Sequence, residues 1–107
     1  MSTLFAYLNT HPSLDEIQQI LNNMGFNYKH SLPPDGRWDY PMHVFGQSDI
    51  RLVYHEGDPE QGEAVVDTTM RSDSPSDMAR LHVVLRVLIG RYGGTILDTH
   101  NARRGLN

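Results

Sequence analysis

Met42-His43-Val44-Phe45-Gly46-Gln47-Ser48-Asp49-Ile50-Arg51-Leu52-Val53-Tyr54-His55 is the stretch that decides the fold. Two short runs rich in β-branched and aromatic residues flank a polar turn at Gly46–Asp49, which is the pattern of a β-hairpin. In the second run Ile50, Leu52 and Tyr54 alternate with Arg51, Val53 and His55, the period of a strand with one buried face. If Met42 and Val44 join Ile50, Leu52 and Tyr54 on the core side, the hairpin pairs residues whose numbers add to an even value, because a one-residue slip reverses every side chain. The opposite face then carries His43, Phe45, Arg51, Val53 and His55. The same parity, carried through the acidic loop Glu56–Gly62 into the β-branched run Ala64–Met70, adds Val65, Asp67 and Thr69 to that face.

Outward from the hairpin, the N-terminal side offers a helix. Ser13-Leu14-Asp15-Glu16 reads as a capping box, in which the Ser13 hydroxyl accepts from the Glu16 N–H and the Glu16 carboxylate reaches back. Leu14, Ile17, Leu21 and Met24 follow at helical spacing and Gly25 suits a left-handed C′ residue, so a helix is expected over 14–24. Residues 3–10 read as a short preceding helix ended by His11-Pro12. Phe26, Tyr28, His30 and Leu32 alternate with Asn27, Lys29 and Ser31 as a strand, and Pro33–Asp39 carries turn chemistry.

On the C-terminal side, Ser74 is placed to cap a helix with Pro75 at its first position and Asp77 at the positive end of its dipole. This helix runs to about Tyr92, where Gly93-Gly94 stops it, and Thr95–Asp98 reads as a final strand. Residues from about 101 read as a frayed tail. The order α-β-β-β-β-α-β implies one α+β domain over 1–107: an antiparallel sheet of 4–5 strands with two main helices on one face.

Composition bounds the function. With 107 residues the chain is one domain's worth. There is no cysteine, which removes disulfide scaffolds, thiol nucleophiles and Cys-ligated zinc. Thirteen acids against nine bases give a net charge of −4, a poor balance for generic binding to nucleic acid or anionic membrane. No apolar run approaches a membrane span or a signal-peptide core, so a cytoplasmic protein that needs no metal or cofactor is expected.

Three surfaces stand out. The second helix presents Met78, Leu81, His82, Leu85, Leu88, Ile89 and Tyr92 as a core stripe. Its far side carries Asp77, Arg80, Arg86 and Arg91 interleaved with Val83, Val84 and Val87. An apolar patch with a basic border marks an interface, so Val83, Val84, Val87, Arg80 and Arg91 are expected to bind a protein partner or a second copy. Arg37, Trp38 and Tyr40 in the 33–40 loop have the residue types of interface hot spots and join that expectation. The acidic residues Glu56, Asp58, Glu60 and Glu63 form a solvated loop or attract a basic partner such as a nuclease.

Leu4-Phe5-Ala6-Tyr7-Leu8-Asn9-Thr10-His11-Pro12-Ser13-Leu14-Asp15-Glu16-Ile17 resembles the opening two helices of winged helix-turn-helix regulators. That family implies a third, recognition helix in the major groove, and here the residues after Gly25 alternate as a strand instead. The expected function is therefore a small non-catalytic protein-binding module, of inhibitor, immunity or antitoxin type. The alternatives are a winged-helix-like nucleic-acid binder using Arg80, Arg86, Arg91, Arg103 and Arg104, and a small metal-dependent or acid–base enzyme in which His43, His55 and Asp67 share one face.

Overall fold

The computed structural model describes residues 4–34, 39–47, 49–57, 64–70 and 74–98. It has six strands and two helices: β1 (Leu4–Leu8), α1 (Leu14–Asn23), β2 (Asn27–Leu32), β3 (Met42–Gln47), β4 (Ile50–His55), β5 (Ala64–Met70), α2 (Pro75–Tyr92) and β6 (Gly94–Asp98). The strands form one sheet in the order β2-β3-β4-β5-β1-β6, every neighbouring pair antiparallel. The α+β class and its two helices on one sheet face are as the sequence implies, with one strand more than expected.

The added strand is β1, which replaces the short helix expected over 3–10. It lies between β5 and β6, pairing Phe5 with Asp67 on one side and with Leu97 on the other. The burial of Leu4, Ala6 and Leu8 against half-buried Phe5 and exposed Tyr7 has a period of two. An apolar quintet reads as either element locally, and pairing on both edges settles it as a strand. The winged-helix resemblance fails at this point, because its first helix is a central strand. The two helices are crossovers: α1 carries the chain from β1 past three strands to β2, and α2 carries it from β5 over β1 to β6.

The caps follow the sequence in part: Ser74 sits at the N-cap position of α2 with Pro75 after it, but its hydroxyl meets Ser76 Oγ at 2.9 Å instead of a helix N–H. The Glu16 N–H donates to Ser13 Oγ at 3.2 Å, while the Glu16 carboxylate accepts from the Tyr92 hydroxyl at 2.8 Å rather than closing the box. Gly25, at φ +90°, follows α1, and the Phe26 N–H returns to the Leu21 carbonyl at 2.9 Å in Schellman fashion. At the other junction Gly94 adopts φ +136°, and a Cβ there would overlap the Tyr7 carbonyl oxygen. Only glycine lets β6 approach β1 immediately after a helix.

One face of the sheet and both helices form the core, where Ile17, Leu21, Leu81, Val84, Leu85 and Leu88 meet Leu4, Leu8, Phe45, Leu52, Tyr54 and Val66. Thr68 is buried among them, and its hydroxyl both accepts from the Leu4 N–H at 3.1 Å and donates to the Leu4 carbonyl at 2.8 Å. Val84 is therefore corrected from patch to core. A valine run wider than one stripe is consistent with either reading in sequence, and the helix rotates so that Val84 packs while Val83 stays 54% exposed.

Candidate functional site

The hairpin register is the second correction, and it builds the site. Gln47 pairs directly with Ile50 and Met42 with His55, so paired numbers add to an odd value. His43 and Phe45 thus face the helices, and Met42 and Val44 face away. Phe45 rather than Val44 packs under the helices, where the larger side chain removes more apolar surface from water, and Val44 is buried on the other face. The same register lays the His43 ring on Tyr54, centroids 6.0 Å apart and planes at 27°.

Edge strand β2 supplies the next residues through an irregularity. Tyr28 pairs with Phe45 and His30 with Val44, so the register shifts between them. The extra residue, Lys29, changes the parity of the strand, and Tyr28 and Ser31 come to share the helix-side face although they are three positions apart. A bulge re-aims side chains in this way. Tyr28 packs edge-on against Phe45, centroids 5.6 Å apart, and Ser31 stands opposite His43.

A continuous hydrogen-bonded chain results. Tyr28 Oη lies 2.6 Å from Ser31 Oγ, Ser31 Oγ lies 2.6 Å from His43 Nδ1, and His43 Nε2 lies 2.6 Å from Glu56 Oε2. Glu56 follows β4 and is held by its N–H, which donates to the Pro41 carbonyl at 3.2 Å. An ionised carboxylate only accepts, so His43 Nε2 carries the hydrogen toward Glu56. With neutral imidazole, Nδ1 is then an acceptor, the Ser31 hydroxyl donates to it, and the Tyr28 hydroxyl donates to Ser31. A second proton on His43, at Nδ1, reverses the Ser31–His43 and Tyr28–Ser31 bonds and leaves Nε2 donating to Glu56. The His43 side chain is 7% and that of Glu56 23% exposed, while Ser31 is open to solvent. A shielded base is thus coupled to an accessible hydroxyl.

The floor of this site is polar. The Tyr54 hydroxyl donates to the Pro12 carbonyl at 2.6 Å in the turn before α1. Burial, reinforced by the charges of Glu56 and Glu16, pushes the Tyr54 phenol far above the usual tyrosine range. Tyr92 is shifted up as well, by burial and by its bond to Glu16. Both phenols are therefore neutral donors at any physiological pH.

The expected His43, His55 and Asp67 face is not assembled. His55 and Asp67 lie on the outer face, Nε2 to Oδ2 at 3.9 Å, whereas His43 is on the opposite side of the sheet because of the register. No group of three or more metal-ligating side chains occurs among the described residues. On α2, Val83 and Val87 are exposed, as are Arg86 and Arg91, and Arg80 donates to Gln47 Oε1 at 2.6 Å. Tyr40 is half-buried. Arg37, Trp38, Asp58, Glu60, Glu63, Arg103 and Arg104 lie outside the described residues. No helix among those described is long and apolar enough to cross a membrane. Tyr28 and Ser31 were missed as site residues because strict alternation puts them on opposite faces, and Glu56 because it reads as one acid of a loop. The Ser31/His43 pairing that joins them depends on the bulge, so no local pattern in the sequence points to it.

No family model and no curated protein matches the chain. Among solved structures, the crystal structure of an adenosylmethionine decarboxylase from Aquifex aeolicus VF5 matches with a TM-score of 0.54 over 91% of this chain and 84% of that one, at 17% sequence identity. The likeness is one of fold. It corrects the expectation of a non-catalytic inhibitor, immunity or antitoxin-type module, since an enzyme is built on this same frame over most of its length.

Proposed function

We propose that the chain is an enzyme of acyl transfer, with Ser31 as nucleophile, His43 as its general base and Glu56 orienting the imidazole. The observation that carries this reading is the unbroken chain of three 2.6 Å contacts from Tyr28 through exposed Ser31 and shielded His43 to the Glu56 carboxylate. Such constellations are recognised by roles rather than by sequence position. The ring is turned relative to the common arrangement, with Nδ1 on the serine, and the tautomer argument gives Nδ1 the lone pair the base requires.

In the reaction the Ser31 O–H proton passes to His43 Nδ1 as Oγ bonds the substrate's carbonyl carbon. The Tyr28 hydroxyl, 2.6 Å from Oγ in the resting site, is released to donate to the developing oxyanion. His43 returns its proton to the leaving group, and water, deprotonated by the same nitrogen, hydrolyses the acyl-serine. The shared fold of a known enzyme supports catalysis as such. A cytoplasmic setting is part of the same proposal.

Hydrolysis of p-nitrophenyl acyl esters of increasing chain length tests it. Ser31→Ala and His43→Gln are expected to reduce turnover by about 10²–10⁴-fold, the usual weight of a positioned base, with far-UV circular dichroism unchanged. Turnover equal to wild type in both variants overturns the assignment.

A further inference from the structure

The sheet has a second face that neither helix covers. It carries Phe5, Tyr7, Val53, Val65 and Leu97, each at least partly exposed, around Arg51 and Asp67, while Val44 on the same face is buried. Antiparallel sheets tolerate water on one face when that face is polar, and this one is mixed, His55, Thr69 and Thr95 sharing it with the apolar side chains. Tyr7 is 45% and Leu97 39% exposed, both large apolar side chains at the β1–β6 end.

We propose that this face packs against the same face of a second copy of the chain. This goes beyond the catalytic proposal and does not rest on it, since the Ser31 site lies on the opposite side of the sheet. The face is self-complementary. Arg51 stands opposite Thr69 and Asp67 opposite Val53, so base and acid occupy diagonal positions on adjacent strands. A two-fold axis lying between the faces and passing between these side chains sets each Arg51 over the other copy's Asp67, the reciprocal pattern of an isologous dimer. Two aligned sheets pack about 10 Å apart with side chains interdigitating. The size also fits: six strands spaced ~4.8 Å apart and ~17–20 Å long give roughly 500 Å² of flat outline. Side-chain relief raises that toward the ~800 Å² per partner of a standard interface. The exposed α2 valines offer a much smaller patch.

Light scattering and sedimentation equilibrium on the full chain, from about 1 to 200 μM, decide it. Wild type is expected at twice the chain mass, and Tyr7→Glu/Leu97→Glu at the monomer mass with a cooperative melt. Arg51→Asp alone should weaken the dimer at least tenfold by setting acid against acid, and Arg51→Asp/Asp67→Arg should restore it. Arg51 is exposed, so this second series tests the interface even where the first variant does not fold. A wild-type monomer at all concentrations overturns the proposal. So does a Tyr7→Glu/Leu97→Glu dimer, or dissociation caused instead by Val83→Glu/Val87→Glu.

Discussion

Val84→Asp and Val83→Asp form a matched pair one residue apart on α2, and the structure assigns them opposite outcomes. Val84 has no exposed surface and touches the cluster of Leu81, Leu85 and Leu88, whereas Val83 is 54% exposed. Replacing Val84 forfeits a fully buried valine, about 1.5–3 kcal/mol. The new carboxyl must then be buried, and it does so most cheaply in its neutral form. Holding a group of ordinary pKa ~3.9 protonated at pH 7 costs about 4 kcal/mol, at ~1.4 kcal/mol per unit. An unpaired polar group adds about 1–3 kcal/mol. The sum, roughly 7–10 kcal/mol, rivals the whole stability expected of a domain this size, about 5–15 kcal/mol. Val84→Asp is therefore expected to lack a cooperative melt at neutral pH, while Val83→Asp should stay within about 0.5 kcal/mol of wild type. Circular dichroism melts and urea titration of both variants provide the measurement. A Val84→Asp protein that melts within a few degrees of wild type refutes the packing of α2 and returns Val84 to the surface patch.

Two further outcomes follow from the same packing. Gly94→Ala should destabilise by at least ~3 kcal/mol, since it combines a left-handed φ with overlap on the β1 backbone, and a urea midpoint equal to wild type contradicts the β1–β6 junction. Tyr54→Phe should lose about 1 kcal/mol at pH 7 with its bond to Pro12. Because the folded state raises this phenol's pKa, the native protein keeps the proton that the unfolded chain loses above pH ~10. Wild-type stability should fall with rising pH above that point by up to ~1.4 kcal/mol per unit for this group. Tyr54→Phe should fall less steeply, and parallel slopes refute the buried-phenol assignment.

Much of the fold is legible in local chemistry. The Ser13 cap, Gly25, Pro75 and the Gly93-Gly94 stop each act through one or two backbone groups, and local sequence suffices to place them. What sequence hides is pairing. Leu4–Leu8 carries too few residues for periodicity to separate strand from helix, and two neighbouring strands decide the matter. The β3–β4 register turns on one residue of turn length, and that residue sends His43 to the opposite face from His55. The candidate site was obscured for the same reason twice over. It depends on the register that buries His43 and on a bulge at Lys29 that no side-chain pattern announces. Residues from three places in the chain, β2, β3 and the end of β4, then meet through backbone irregularity rather than through a motif.

The central claim, that His43 activates Ser31, is tested most directly by a fluorophosphonate reagent read by intact mass and peptide mapping. The account predicts one adduct per chain, on Ser31, formed at neutral pH. It also predicts that the adduct is lost in folded His43→Gln and strongly slowed in Glu56→Gln. Absence of an adduct on Ser31, or equal labelling of wild type and His43→Gln, would contradict it.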